Sequence, residues 1–211
     1  MKKATPWAEA GHLVAWEQFA LPRRARRDSL DVLHCPAYVM PRRAAVPTVV
    51  TLHDLFIYTH PQYCKRLNVM HFRLALPPSL RQAAVLHCTS HWTRGVLCAA
   101  FPQTASRARV VHPGIDDLFR PPDPARVEQY RRQKGLPQRP FLFVGNVEPK
   151  KNVGGLLRAF ALLKHQHGSP GALALVGGNG SWGVPLERLI RDFSLRRDVV
   201  RLGYVPREEL P

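Results

Sequence analysis

The 211-residue chain carries 31 Lys and Arg against 15 Asp and Glu, a formal charge of +16, and 45% of its residues are hydrophobic. That apolar content supports a globular fold of one large or two small domains. No run approaches the ~18 apolar residues of a membrane span, and the N-terminus (Met1, Lys2, Lys3, then Thr5, Pro6, Trp7 and Glu9) lacks the apolar centre of a signal peptide, so a cytoplasmic location is expected.

The positive charge favours phosphorylated small molecules, anionic lipid or nucleic acid as partners. Arginine is scattered (Arg23, Arg24, Arg26, Arg27, Arg42, Arg43, Arg131, Arg132, Arg196, Arg197) with no basic-aromatic tract, which argues against a nucleic-acid module. The four cysteines, Cys35, Cys64, Cys88 and Cys98, form neither a CxxC pair nor a cluster at zinc spacing. They read as reduced structural thiols, and no metal is expected.

In chain order, the periodicity predicts a helix around Trp7 to Phe19 stopped by Pro22, a strand at Asp31 to His34, and a strand at Thr48 to Leu52 running into His53 and Asp54. A helix follows from about Cys64 to Leu76, which Pro77 and Pro78 are expected to break or kink. Next come a strand at Val85 to Cys88, a helix from His91 to Ala100 capped by Thr89 or Ser90, and a strand at Arg109 to His112 ended by Pro113 and Gly114. The polar, proline-rich run from Asp116 to Pro124 reads as an interdomain crossing. Beyond a short helix near Ala125 to Lys134 the alternation restarts: strand Phe141 to Val144, helix Val153 to His165, strand Ala172 to Val176, helix Pro185 to Phe193, strand Val199 to Leu202. Apolar strands alternating with helices predict an α/β fold with parallel sheets. A three-stranded second sheet with an open edge suggests that further chain belongs downstream of Pro211.

Four motifs stand out. Gly178-Asn-Gly180-Ser-Trp-Gly183 is formally G-x-G-x-x-G, but the strand that follows ends in Leu202-Gly-Tyr-Val205 without the acidic residue a dinucleotide site needs, so it reads as a turn or a close backbone approach. Phe141-Leu-Phe-Val-Gly145-Asn146 leads through Val147-Glu-Pro to Lys150-Lys151-Asn152: a strand, a glycine turn and two lysines at a helix start, where N–H groups and the helix dipole favour an anion. His53 stands at the C-terminal end of a buried strand, the ligand edge of open α/β sheets, where Asp54 is placed to orient an imidazole that bonds a sugar hydroxyl or phosphate. The competing reading is a capping aspartate beside a satisfied core histidine. His112-Pro-Gly114-Ile-Asp116 is a strand end whose Gly114 is free to take positive φ.

In this order the segments resemble the family 4 glycosyltransferases of the GT-B fold, especially the mannosyltransferase-like branch. The resemblance is carried by Asp31-Val-Leu-His-Cys-Pro36, Val50-Thr-Leu-His-Asp-Leu55, Thr89-Ser-His-Trp-Thr93, Val111-His-Pro-Gly-Ile-Asp116, Val144 to Asn152 and Leu175-Val-Gly-Gly178. It implies two Rossmann-like domains, both incomplete here: 1–118 on the acceptor side, a linker and short helix at 119–140, and 141–211 on the nucleotide-sugar side.

The resemblance also implies a site. Lys150 and Lys151 with Gly145 and Asn146 would bind the donor diphosphate, His53 and Asp54 would be catalytic, and Gly114, Gly177 and Gly178 would line the cleft. Many members carry arginine where this sequence has Asn146. The family's glutamate pair in E-x7-E spacing would lie past Pro211, and its glycine-rich N-terminal loop would lie ahead of Met1. The implied reaction is retaining transfer of a hexose, with mannose suggested by the branch, from a nucleoside diphosphate sugar to a glycan or lipid-linked acceptor, with no metal, no other cofactor and no nucleic acid. The alternative is a truncated, non-catalytic remnant that still binds the nucleotide sugar. A peripheral contact with the anionic inner face of the membrane fits the charge.

Overall fold

The computed structural model describes residues 14–168, 171–178 and 185–211. The chain divides into two compact units, Met1–Gly114 and Ile115–Pro211. The segment 119–140, which the sequence suggests is a linker and short helix, therefore falls within the second unit.

The first unit holds a four-stranded sheet, β1 (Leu33–Cys35), β2 (Thr48–Leu52), β3 (Val85–Cys88) and β4 (Ala108–Val110), parallel throughout and in sequential order. Parallel neighbours require crossovers. These run through α2 (Phe56–Thr59) and α3 (Arg66–Gln82) between β2 and β3, and through α4 (His91–Ala100) between β3 and β4, with α1 (Leu21–Arg27) ahead of β1. Leu33, Cys35, Val50, Leu52, Leu76, Leu80, Leu86, Cys88 and Leu97 form the core. Burial pushes the Cys35 thiol up to about 11, with Glu17 adding to the shift, and does the same to Cys88, with Cys98 adding.

Neither proline site ends its helix. Pro22 does not stop the first helix: a π-helical turn over Trp16–Ala20 runs straight into α1, with Pro22 in its first turn. The wide turn, closed by Leu21 N–H on the Trp16 carbonyl, accommodates the ring that a regular α-turn would press against the preceding carbonyls. The part of that expected helix before Val14 lies outside the described residues. Nor do Pro77 and Pro78 end α3, which continues to Gln82. The carbonyls they deprive of donors belong to Arg73 and Leu74, two residues with exposed side chains. Beyond the prolines Ser79 Oγ donates to the Ala75 carbonyl and accepts from Met40 N–H, each at 3.1 Å, and Arg107 closes the helix end by donating to the carbonyls of Leu80, Arg81 and Ala83.

The second unit begins with α5 (Pro124–Gln133), capped by Asp123, whose Oδ1 accepts from Ala125 N–H at 2.9 Å. Its sheet is also parallel, β5 (Phe141–Val144), β6 (Leu173–Val176) and β7 (Val199–Gly203), in that order. β6 is buried along its whole length, as expected of the central strand. Helices α6 (Val153–His167) and α7 (Leu186–Asp192) pack on it through Val153, Leu157, Phe160, Leu186 and Ile190. Most of the Gly178 to Gly183 motif lies outside the described residues.

Candidate functional site

In the first unit the C-terminal ends of β2, β3 and β4 bring together the turns that carry His53, Thr89 and His112. The His53 ring is exposed, and its Nε2 lies 2.8 Å from the Pro36 carbonyl, in the loop after β1. A carbonyl oxygen only accepts, so Nε2 carries the hydrogen and the neutral ring is left with a lone pair on Nδ1. An imidazole in that tautomer can accept a hydroxyl proton.

Asp54 does not orient this ring in the direct way the sequence suggests. Its Oδ1 accepts from Phe56 N–H at 3.0 Å, closing the turn into α2. Its carboxylate also hydrogen-bonds Tyr38, whose hydroxyl is pushed up to about 12 by burial first and by Asp54 second. Tyr38 in turn stands edge-on to the His53 ring, centroids 5.8 Å apart. Tyr38 thus stands between Asp54 and the His53 ring, a residue sequence reasoning missed because its link to the site is tertiary.

Three of the unit's other imidazoles, His34, His87 and His112, make hydrogen bonds at or near these strand ends. His34 Nε2, Thr51 Oγ1 and His87 Nδ1 form a row across the strands with separations of 2.7 and 2.9 Å, and His87 Nε2 donates to the Val111 carbonyl at 2.8 Å. That last bond leaves His87 Nδ1 as an acceptor in the neutral ring, so the Thr51 hydroxyl donates to it and accepts from His34. His112 Nδ1 donates to the Thr89 carbonyl at 3.2 Å. The expectation for Gly114 is corrected: it is not among the positive-φ glycines, and a Cβ there would meet nothing within 4 Å, so neither a strained turn nor a close approach requires glycine.

In the second unit the ends of β5 and β6 cross closely. Gly177 has φ +131° and a Cβ on it would lie 2.6 Å from the Gly145 carbonyl carbon and nearer still to its oxygen; Gly145 itself has φ +152°. The backbone bonds Gly145 N–H to Val176 O, Val147 N–H to Gly178 O and Gly177 N–H to Gly203 O fix the crossing. Gly178 is less constrained, with its nearest neighbour, Asn146 Oδ1, 3.8 Å from a Cβ.

Lys150 and Lys151 lie in a 3-10 turn, Pro149–Lys151, rather than in the helix start itself. Asn152, left-handed at φ 50°, caps α6 by accepting from Gly155 N–H at 3.2 Å, so one of the helix's anion-facing donors is already used. The lysines differ: Lys150 Nζ is 3.7 Å from Glu148 Oε2, whereas no ion pair is recorded for exposed Lys151 among the described residues. The described residues contain no group of three or more His, Cys, Asp or Glu placed to hold a metal.

Two parallel α/β units, each presenting its strand ends as a ligand edge, define the GT-B type of glycosyltransferase fold. The model described as Glycosyltransferase Family 4 matches residues 2–117, and that described as Glycosyl transferases group 1 matches residues 127–211. The chain belongs to the family 4 glycosyltransferases. It is 30% identical over 195 residues to the O-antigen chain mannosyltransferase B of Escherichia coli, covering 90% of this chain and 51% of that protein. Over 140 residues it is 32% identical to a GDP-mannose-dependent alpha-(1-6)-phosphatidylinositol monomannoside mannosyltransferase of Mycolicibacterium smegmatis, covering 66% of this chain and 36% of the relative. The chain thus spans about half the length of the first of these relatives and about a third of the second.

Among solved structures, Anabaena HepE in complex with UDP-glucose superimposes with a TM-score of 0.65 at 20% identity, over 89% of this chain and 51% of that one. WaaG, a glycosyltransferase of lipopolysaccharide biosynthesis, gives a TM-score of 0.66 at 17% identity, over 97% and 56%. These similarities establish the fold.

Proposed function

We propose that the protein transfers a hexose, mannose from GDP-mannose in the first instance, to a hydroxyl of a polysaccharide or lipid-linked glycan, with retention at the anomeric carbon. The observation that carries this reading is the 30% identity to a mannosyltransferase across 90% of the chain. The close approach of Gly145 and Gly177 supports it in another way, by fixing the turn at the ends of β5 and β6 that leads to Lys150 and Lys151, the edge this reading assigns to the diphosphate. Lys151, helped by Lys150, would neutralise charge growing on the leaving diphosphate, a task other folds give to a divalent cation. The Nδ1 lone pair of His53 would accept a hydroxyl of the transferred sugar.

Incubation with labelled GDP-mannose and a mannan-type acceptor should give labelled glycan with α-configured linkages and free GDP, unchanged by EDTA. Binding of GDP-mannose without turnover on any glycan acceptor would replace this reading by that of a non-catalytic nucleotide-sugar-binding protein.

A specific surface supports contact with an anionic bilayer. Between Asp54 and Asp116 the sequence has no acidic residue. Phe19 and Leu74, each 65% exposed, line one groove with Arg23, Arg26, Arg42 and Arg43 against one carboxylate, Glu17, and Leu74 continues into a second with Met70, 56% exposed, Arg66 and Arg73. Exposed apolar side chains ringed by arginine suit an interface of acyl chains and anionic headgroups. No helix of the described residues is long and apolar enough to cross a membrane. Cosedimentation with vesicles should rise steeply with the fraction of phosphatidylglycerol and fall in high salt; binding indifferent to anionic lipid would remove the proposal.

A further inference from the structure

The peptide that follows His53 is held by two hydroxyls. Thr89 Oγ1 donates to the His53 carbonyl at 2.9 Å, and Thr93 Oγ1 donates to the same oxygen at 3.1 Å. Thr89 lies just past the end of β3, and Thr93 lies in the first turn of α4 with 3% of its surface exposed. Together they occupy both lone pairs of one carbonyl. The ring is held separately by Pro36, so three elements of the unit fix this one residue.

Thr89 has further bonds. Its carbonyl accepts from His112 Nδ1, and its N–H donates to the Leu52 carbonyl at 3.3 Å, which ties the turn after β2 to the turn after β4. Thr93 has a further link in Ser90, the cap of α4: Ser90 Oγ lies 2.9 Å from Thr93 Oγ1 and accepts from Thr93 N–H at 3.1 Å. The His53 carbonyl is thereby coupled to the start of a rigid helix.

The geometry points to Thr89 and Thr93 as positioning residues for His53. They set the plane of the peptide after it and, with Pro36, the direction in which Nδ1 faces. This inference rests on the assignment of His53 to the transferred sugar. Rigid placement matters there because a shift on the order of 1 Å at a reacting group costs about 100-fold in rate. A purely structural role in starting α4 would instead lower stability and activity together.

The test compares Thr89→Val, Thr93→Val and the double variant with the Thr→Ser forms and with His53→Ala. In the double variant kcat should fall about 10- to 100-fold while KM for GDP-mannose stays within about two-fold, and serine at both positions should restore most of the rate. The 13C shift of the His53 carbonyl should move on each Thr→Val change and return with serine. That readout needs no turnover, so it reports on the contact even in an inactive protein.

Where the double variant does not fold, Thr89→Val carries the test alone, since Thr89 is only half-buried and its carbonyl bond to His112 is retained. Unchanged kcat in a Thr→Val variant alongside an impaired His53→Ala overturns the positioning role, as does a loss of rate that only tracks the melting temperature, or an unmoved carbonyl shift. Wild-type turnover in His53→Ala overturns the assignment of His53 itself and the positioning role with it.

Discussion

Lys151→Ala is expected to lower kcat for hexose transfer by about 100- to 1000-fold, a loss of roughly 3 to 4 kcal/mol of transition-state stabilisation, the range seen when one preorganised donor to a developing negative charge is removed. Lys150→Ala should cost distinctly less. The two lysines are neighbours in one 3-10 turn, but Lys150 has Glu148 within 3.7 Å. A carboxylate that already offsets the Lys150 ammonium reduces the net positive charge it offers to a diphosphate. The same geometry gives Glu148→Gln a sign: it should tighten GDP binding, because it releases Lys150. Steady-state kinetics of the three variants, with GDP affinity by calorimetry, separate the roles. Equal losses for Lys150→Ala and Lys151→Ala would show that the pair acts as undifferentiated charge, and full turnover in Lys151→Ala would remove it from the diphosphate site.

Much of this architecture was legible in the sequence, for identifiable reasons. β2, β3 and β5 fall on Thr48–Leu52, Val85–Cys88 and Phe141–Val144, the runs that branched apolar residues mark, and α4 begins where Ser90 can cap it, with Thr93 N–H on Ser90 Oγ at 3.1 Å. The expectation of a helix end failed at Pro22 and at Pro77 and Pro78. A sequence shows that Pro77 and Pro78 remove two donors, but not that the helix runs on to Gln82 with Ser79 and Arg107 bonding its last turns, nor that a π-turn precedes Pro22. Local rules give the cost of the missing bond; only the tertiary setting shows whether it is paid.

The site shows the same division. His53 is visible because strand ends are where open sheets place ligands, whereas its supports are scattered: Pro36 and Tyr38 precede it by about fifteen residues and Thr89 and Thr93 follow by about forty. Several of those contacts run through backbone carbonyls, which every residue type possesses, so side-chain identity carries little trace of them. Asp54 illustrates how adjacency misleads. It is next to His53 in the chain, yet consecutive residues at a strand end diverge, and its carboxylate serves Phe56 N–H and Tyr38.

Gly177→Ala is expected to be the most damaging glycine-to-alanine change among the described residues of the second unit. Two independent penalties meet at this position. At φ +131° an L side chain is strained by about 1 to 3 kcal/mol whatever the space around it. The added methyl would also be driven into the Gly145 carbonyl, a backbone group fixed by Gly145 N–H on Val176 O and unable to swing aside as a side-chain tip would. A loss of at least about 3 kcal/mol would consume much of the 5 to 15 kcal/mol that holds a typical domain together. Gly178→Ala, one residue on, supplies the control: it meets nothing closer than Asn146 Oδ1 at 3.8 Å and has no positive φ, so its cost should stay below about 1 kcal/mol. Denaturant melts and amide exchange at Gly145 and Val147 would read the difference. Because the crossing also shapes the edge assigned to the diphosphate, any folded Gly177→Ala protein should bind GDP more weakly than Gly178→Ala. Equal stability of the two variants would mean that the strands separate easily at this edge, and the close approach could then not be what shapes the donor site.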